Sequence, residues 1–321
     1  MNKIAVIGIG NLGLRHMESL VKSLSKFELF AVEPDEFNRN KAIKYFKEVA
    51  QKQTVQQVSF LQKVKELPAE MDVVIIATGA NGRLKVISEL LTSKKVSAII
   101  LEKVLFQKIS DYKECSELLE QSNTIAFVNC PMRSYVAFQQ IKSFFGDDIP
   151  STMSVSGADW SMGCNAVHYL DLFAFLTGKH ATKIKLDLDN KVKESKRQGY
   201  IEFTGTMKGF SSNGQITLQS IENSALGKLI LLFAKDKYCV VDEYAQYYIF
   251  GSADREPEMK TFRMPYQSEL TATNVNQILE TRTCKLTSFA ESMAVHLPLI
   301  EVLIEHVKKE VDMNLDYVPI T

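Results

Sequence analysis

A chain of 321 residues is long for one hydrophobic core and suits two domains. Lys plus Arg and Asp plus Glu number 38 each, so the formal charge is zero and nucleic acid is not an expected partner. Five scattered cysteines without a C-x-x-C pair, no run of about 18 apolar residues and no signal-peptide pattern lead us to expect a cytoplasmic protein with reduced thiols, no metal centre and no membrane span.

The first half alternates strand and helix signals. Residues 3–7 (KIAVI) form a short apolar run ending at Gly8. A helix pattern follows from Leu12 to Ser25, with Leu14, Met17, Leu20, Val21 and Leu24 on one stripe. Residues 27–34 (FELFAVEP) read as a second strand and 36–52 as a charged helix. The run DVVIIA (72–77) is apolar on both faces, which implies a buried parallel strand. A helix over 82–92, a strand over 96–101, a helix over 110–121 and a strand over 124–129 complete a repeating βα pattern, the signature of a doubly wound sheet.

The second half changes character. One helix is expected over 165–177. The runs KIKLDLD, YIEFTGTM, QITLQSI, KLILLFAK, YCVVDEY and QYYIFG then fit a mostly antiparallel sheet. A last helix covers about 288–309, where Phe289, Met293, Leu297, Ile300, Leu303, Ile304 and Val307 recur at helical spacing. The expected domains are 1–130 and 131–321, with the final helix free to pack back on the first.

Gly8-Ile9-Gly10-Asn11-Leu12-Gly13 is a G-x-G-x-x-G between an expected strand and an expected helix. Gly8 permits the turn, Gly10 lets a pyrophosphate approach the backbone, and Gly13 lets helix and strand pack closely. The amides that open the helix then meet the phosphate charge. Glu33 stands twenty residues after Gly13, at the end of the second strand. A carboxylate there accepts hydrogen bonds from ribose hydroxyls and repels a 2′-phosphate, so NAD is expected ahead of NADP. Arg15 and Arg39 keep NADP open as an alternative.

Four segments come in an order that resembles the Gfo/Idh/MocA oxidoreductases. They are the start from Gly8 to His16, the strand DVVIIAT, the pair Glu102-Lys103 after VSAIIL, and GCNAVHYLDLFAFLTG (163–178). The resemblance implies an α/β fold: an N-terminal Rossmann domain, then a C-terminal α+β domain with an open, mostly antiparallel sheet. It also implies hydride transfer at hydroxyl or keto groups of sugars and their derivatives, and homo-oligomers packed through the sheets.

By the same resemblance, Lys103 contacts the reacting hydroxyl, where a cation stabilises developing alkoxide charge. Val104 replaces the family's proline. His168 matches the histidine of D-x-x-x-H and takes the hydroxyl proton. Cys164 stands where the family has Asp, and Asp171, one turn on, is assigned to orient the imidazole. Thr78 and Glu102 join the glycines and Glu33 as cofactor-binding residues. The family's T-P-N-x-x-H becomes Thr78-Gly79-Ala80-Asn81-Gly82-Arg83 here, whose extra glycines read as a loosened loop.

On the substrate side stand Asn165, Arg133 and Trp160. Arg133, near Asn129 in VNCPMRS, reads either as an anchor for a substrate anion or as an interdomain ion-pair partner. Trp160 reads as a stacking surface for a sugar or as a core residue. Three functions stay open: a sugar oxidoreductase, whose NCP-x-R and similar segments resemble those of family members in bacterial surface-glycan pathways; an NAD-binding regulatory protein without turnover; and a lyase that uses NAD transiently.

Overall fold

The computed structural model describes residues 1–52, 56–189 and 192–321. In chain order the elements are β1 (Asn2–Ile7), α1 (Asn11–Val21), β2 (Phe27–Val32), α2 (Glu36–Lys52), β3 (Val58–Leu61), β4 (Glu70–Ile76), α3 (Ala80–Ser93), β5 (Lys95–Leu101), α4 (Ile109–Gln121) and β6 (Ile125–Val128). There follow α5 (Val136–Phe145), β7 (Thr152–Ala158), α6 (Met162–Thr177), β8 (Lys183–Leu188), β9 (Lys193–Glu194), β10 (Ile201–Glu202), β11 (Gly205–Phe210) and β12 (Gln215–Ile221). The chain ends with β13 (Leu229–Phe233), β14 (Lys237–Asp242), β15 (Tyr247–Ser252), β16 (Arg255–Thr261), α7 (Gln267–Thr281), β17 (Thr287–Ser288) and α8 (Phe289–Glu310).

These residues form two compact units. The first comprises Met1–Phe106, Ser110–Asn129 and Pro265–Phe289; the second comprises Gln107–Ile109, Cys130–Met264 and Ala290–Thr321.

The first unit holds a seven-stranded sheet in the order β17-β6-β5-β4-β1-β2-β3. All pairings are parallel except that of β17 with β6. The apolar residues Val73–Ile76 are fully buried, which is why this run takes a central place with partners on both sides. Strand order reverses between β1 and β4, and the carboxyl ends of strands at such a switch point open a crevice for a ligand.

Three of the labelled elements of this unit, β3, β17 and α7, lie outside the sequence expectations. The edge strand β3 has only four residues. Helix α7 buries Thr271 and Asn274 beside Val275 and Ile278, so polar side chains occupy positions where a periodicity search looks for apolar ones. It packs on α1.

The second unit holds an eight-stranded sheet in the order β16-β15-β14-β13-β7-β12-β11-β8. Every pairing is antiparallel save that of β7 with β12. Met153, Val155, Ile216, Leu218, Ile230 and Leu232 are buried on one face, where α6 packs against β12. On the other face Leu229 and Phe233 are exposed.

YIEFTGTM does not form one strand. Ile201–Glu202 pairs with β9 in a separate ribbon, and the chain joins the large sheet only at Gly205. That residue has φ +105, and a Cβ on it would lie 2.7 Å from the Asp187 carbonyl oxygen. Strand β7 (TMSVSGA) and helix α5 were also not expected. In β7 only alternate residues are apolar, and small polar side chains fill the other face.

Candidate functional site

The glycine motif builds a tight cradle. Gly8 has φ +89 and donates its amide to the Val32 carbonyl at 2.9 Å. A Cβ on Gly13 would lie 1.9 Å from the Gly8 carbonyl oxygen, so helix and turn touch backbone to backbone. Nothing lies within 4 Å of where a Gly10 Cβ would point, so this backbone is open to a ligand. Asn11 and Leu12 open α1, whose first amides have no intrahelical acceptor.

Glu33 is 7% exposed. Its Oε2 accepts the Ile9 amide at 2.7 Å and its Oε1 the Asp35 amide at 3.0 Å, which ties the carboxylate to the glycine turn. Arg39 donates to the Glu33 and Pro34 carbonyls, and Arg15 pairs with Glu18 at 2.7 Å. A cleft of about 520 Å³ is lined by Gly8, Gly10, Glu33, Asn38, Thr78 and Gly79, among others. An open backbone at Gly10, a closed one at Gly13 and a fixed carboxylate fit a dinucleotide.

The loop after β4 is not loosened by its glycines. Helix α3 starts directly after Gly79, and Arg83, only 1% exposed, bonds the Thr78 carbonyl at 2.5 Å and the Leu105 carbonyl at 2.7 Å, as well as the Val104 carbonyl. One guanidinium therefore clips the Thr78 turn to the segment after Lys103. The Lys103–Val104 peptide bond is cis, and Lys103 itself is half-buried.

Glu102 lies in a buried network. Its Oε1 accepts His16 Nε2 at 2.9 Å and the Asn129 amide. His16 Nδ1 lies 2.9 Å from Thr271 Oγ1, and Asn129 Nδ2 also donates to Gln267 Oε1 at 3.0 Å. Burial opposes ionisation of Glu102, but the His16 bond and charge, the Asn129 bond and the Lys103 charge outweigh it and hold the carboxyl below its usual range. Glu102 thus has its carboxylate among side chains rather than among the residues lining the nucleotide cleft. The partners from α7 were invisible in the sequence because α7 was.

In the second unit His168 is half-buried on α6. It lines a cleft of about 170 Å³ with Tyr135, Asn165, Tyr169, Lys228 and Glu243. Glu243 is 4% exposed at its side chain; its Oε2 accepts Lys228 Nζ at 2.9 Å and the Tyr169 hydroxyl at 2.8 Å. Burial, then the Glu243 charge, pushes Tyr135 up to about 12. The same two causes raise Tyr169, so both phenols stay protonated at neutral pH.

Tyr135, Lys228 and Glu243 were missed in the sequence. Lys228 and Glu243 flank β13 and β14, and only the register Leu229↔Asp242 makes them cross-strand neighbours.

The remaining expected substrate and catalytic residues lie as follows. Asp171 is 1% exposed and receives Arg133 through two bonds, Nη2 to Oδ1 at 2.7 Å and Nε to Oδ2 at 2.9 Å. The interdomain ion pair considered for Arg133 is instead a pair inside the second unit. Asn165 donates to the Trp160 carbonyl at 3.0 Å. Trp160 is 7% exposed, with Nε1 on the Gln219 carbonyl at 2.8 Å and its ring edge-on to Tyr169, as a core residue packs. Cys164 is buried, and its amide donates to Glu202 Oε2 at 3.3 Å. A carboxylate therefore stands at the first turn of α6, although position 164 lacks one.

Among the described residues no cluster of three His, Cys, Asp or Glu side chains could hold a metal ion. No helix there is long and apolar enough to cross a membrane.

Residues 2–130 match the GFO_IDH_MocA model, described as an oxidoreductase family with an NAD-binding Rossmann fold. The match spans the N-terminal Rossmann domain, which contains the glycine motif and Glu33. No curated protein matches the chain. Among solved structures, the UDP-N-acetylglucosamine 3-dehydrogenase GnnA of Acidithiobacillus ferrooxidans is 16% identical, with 97% of each chain covered and a TM-score of 0.72. An oxidoreductase of Agrobacterium radiobacter, in complex with NAD+, L-tartaric acid and magnesium, is 15% identical over 98% of this chain and 96% of that one, with a TM-score of 0.72. The transcriptional regulator Gal80p of Kluyveromyces lactis is 10% identical over 96% and 92%, with a TM-score of 0.73. At these identities the likeness is one of fold.

Proposed function

We propose that the protein is an NAD(H)-dependent oxidoreductase acting on a hydroxyl or keto group of a sugar or sugar derivative. The observation that carries this reading is the cleft at Gly8, Gly10 and Glu33, in a chain that also keeps Lys103 after a buried Glu102 and His168 in a polar cleft. NAD, when bound, supplies the hydride acceptor. Gly8, Gly10, Asn11, Leu12, Gly13, Glu33 and Thr78 hold it, and the Glu102 network fixes the segment that carries Lys103. Lys103 stabilises negative charge on the substrate oxygen. His168 takes the hydroxyl proton. Asp171 holds Arg133, and that pair braces the helix face next to His168. The sugar dehydrogenase among the structural relatives supports the substrate class. The exposed sheet face at Leu229 and Phe233 suits a second copy of the chain as partner.

The departures at Cys164 and Val104, with a transcriptional regulator among the relatives of this fold, favour a second reading, an NAD-binding protein without turnover. One experiment separates the two. Purified protein is given NAD+ and a panel of sugars and nucleotide sugars, and absorbance at the nicotinamide band is followed in both steady state and single turnover. The oxidoreductase turns over at least one of them. Lys103→Met and His168→Ala then each lower kcat about 10²-fold or more, the scale of general acid–base groups, with little change in NAD affinity. NAD binding with no hydride transfer to or from any sugar supports the regulator.

A further inference from the structure

We propose that the His168 cleft recognises a neutral, polyhydroxylated segment of the substrate, with Lys228, Glu243 and Tyr135 reading the hydroxyls next to the reacting carbon. This rests on the oxidoreductase reading and narrows its substrate class.

Size is the first argument. At about 170 Å³ the cleft is smaller than the roughly 300–1,000 Å³ that whole small ligands occupy. With about 30 Å³ per water, it exchanges five or six waters for a few hydroxylated carbons.

Charge is the second. Lys228 and Glu243 cancel, and Tyr135 and Tyr169 are neutral. The nearby guanidinium of Arg133 has its fork on Asp171. An incoming carboxylate or phosphate meets no surplus positive charge here, and it meets the buried carboxylate of Glu243.

The hydrogen-bond inventory is the third argument and the most selective. Both donors to Glu243 fall on Oε2, and among the described residues none falls on Oε1. The Asn165 amide nitrogen is held by the Trp160 carbonyl, which turns its oxygen into the available acceptor. Lys228 keeps further N–H donors, and the protonated Tyr135 hydroxyl donates and accepts. Acceptors and donors side by side match vicinal hydroxyls, each of which also donates and accepts. An anion brings acceptors only and leaves Glu243 Oε1 and the Asn165 oxygen facing like groups.

The test reads binding, not turnover. With NAD+ bound to the full chain, calorimetry compares glucose with glucuronate, galactose with galacturonate, and N-acetylglucosamine with glucose 6-phosphate at millimolar concentration. In the best-bound pair, the neutral member is expected to bind about tenfold or more tighter than the charged one, a difference of about one charge-assisted hydrogen bond. Glu243→Gln and Lys228→Met each weaken that neutral sugar about tenfold, and Tyr135→Phe, which removes one oxygen and leaves the ring, weakens it severalfold. NADH titration and a thermal melt confirm that each variant is folded. Tighter binding of the charged members, no binding of any neutral probe, or unchanged affinity in all three folded variants overturns the proposal. Neutral sugars that bind without any hydride transfer would overturn the oxidoreductase reading and leave this site standing. Turnover of an acid that binds more tightly than its neutral partner would do the reverse.

Discussion

In the first unit the Gly8 cleft is built on the turn after β1 and the end of β2, and Asn38 of α2, Gln62 and Lys63 after β3, and Thr78 after β4 complete its lining. In the second unit the His168 cleft draws on the turn before α5, on α6, and on the flanks of β13 and β14. The first is held by backbone: the Gly8 amide, the Ile9 amide on Glu33, and a helix packed against a bare carbonyl. The second is held by side chains, with Lys228 and Tyr169 converging on one carboxylate oxygen. A site fixed by backbone geometry demands particular residue types at fixed spacing. A site fixed by cross-strand pairs leaves no such trace.

The sharpest way to break this comparison is at Gly13. Its added Cβ would lie 1.9 Å from the Gly8 carbonyl oxygen, a backbone atom that cannot swing aside. Gly13→Ala is expected to lower stability by about 3 kcal/mol, the upper end of overpacking, and to abolish measurable NADH binding in a fluorescence titration. Gly10→Ala meets open space, so its thermal melt should match wild type while NADH affinity falls. If both variants melt alike, the division of labour between the two glycines is wrong.

How much of each region was legible follows the same division. The motif from Gly8 to Gly13, Glu33 and the buried run of β4 all announce themselves within short windows of sequence. Helix α7 did not, because its inward face carries the polar residues Thr271 and Asn274, and Thr271 is held there by a bond to His16 rather than by apolar character. Arg83 was misread for a related reason. Glycines beside it suggested slack, but its three carbonyl acceptors lie on two loops that only the folded sheet brings together. Lys228 and Glu243 needed the register of β13 and β14 before they became neighbours.

Arg83→Met is the next test. Removing the guanidinium leaves the Thr78, Val104 and Leu105 carbonyls without it in a buried place. The expected loss is about 2–3 kcal/mol in urea unfolding, because an abandoned buried acceptor bears its full desolvation penalty. In the second unit Trp160→Phe removes a single bond to the Gln219 carbonyl and should cost about 1 kcal/mol beyond the packing change. Equal losses would mean that Arg83 does not clamp the two loops.

Cofactor choice sharpens the picture further. Glu33 is expected to favour NADH over NADPH by about 1–3 kcal/mol, seen as parallel fluorescence titrations of the two cofactors. Arg39 donates to the Glu33 and Pro34 carbonyls, which places a cation near the carboxylate, and Glu33→Gln should therefore narrow the gap. Equal binding of NADPH by the unaltered protein would remove the argument from Glu33.

The smallest effect concerns pH. The Glu102 carboxyl is held below its ordinary value of 4.5 in the folded chain. Between that lowered value and 4.5 the unfolded chain binds more protons than the native one. The stability Glu102 contributes is therefore fully present above about pH 4.5 and is lost as pH falls through the native value. Glu102→Gln keeps the shape of the side chain and cannot titrate. The free-energy difference between wild type and this variant should stay level from neutral pH to about pH 5, then shrink as acid is added. Denaturant unfolding at stepped pH reads it directly. A difference that stays level down to about pH 3 would mean that the His16 and Asn129 bonds do not favour the ionised form, since only a group with a shifted value changes stability with pH. Lys103 would then follow a neutral acid rather than a carboxylate anchored by a histidine, and the network would be reduced to packing.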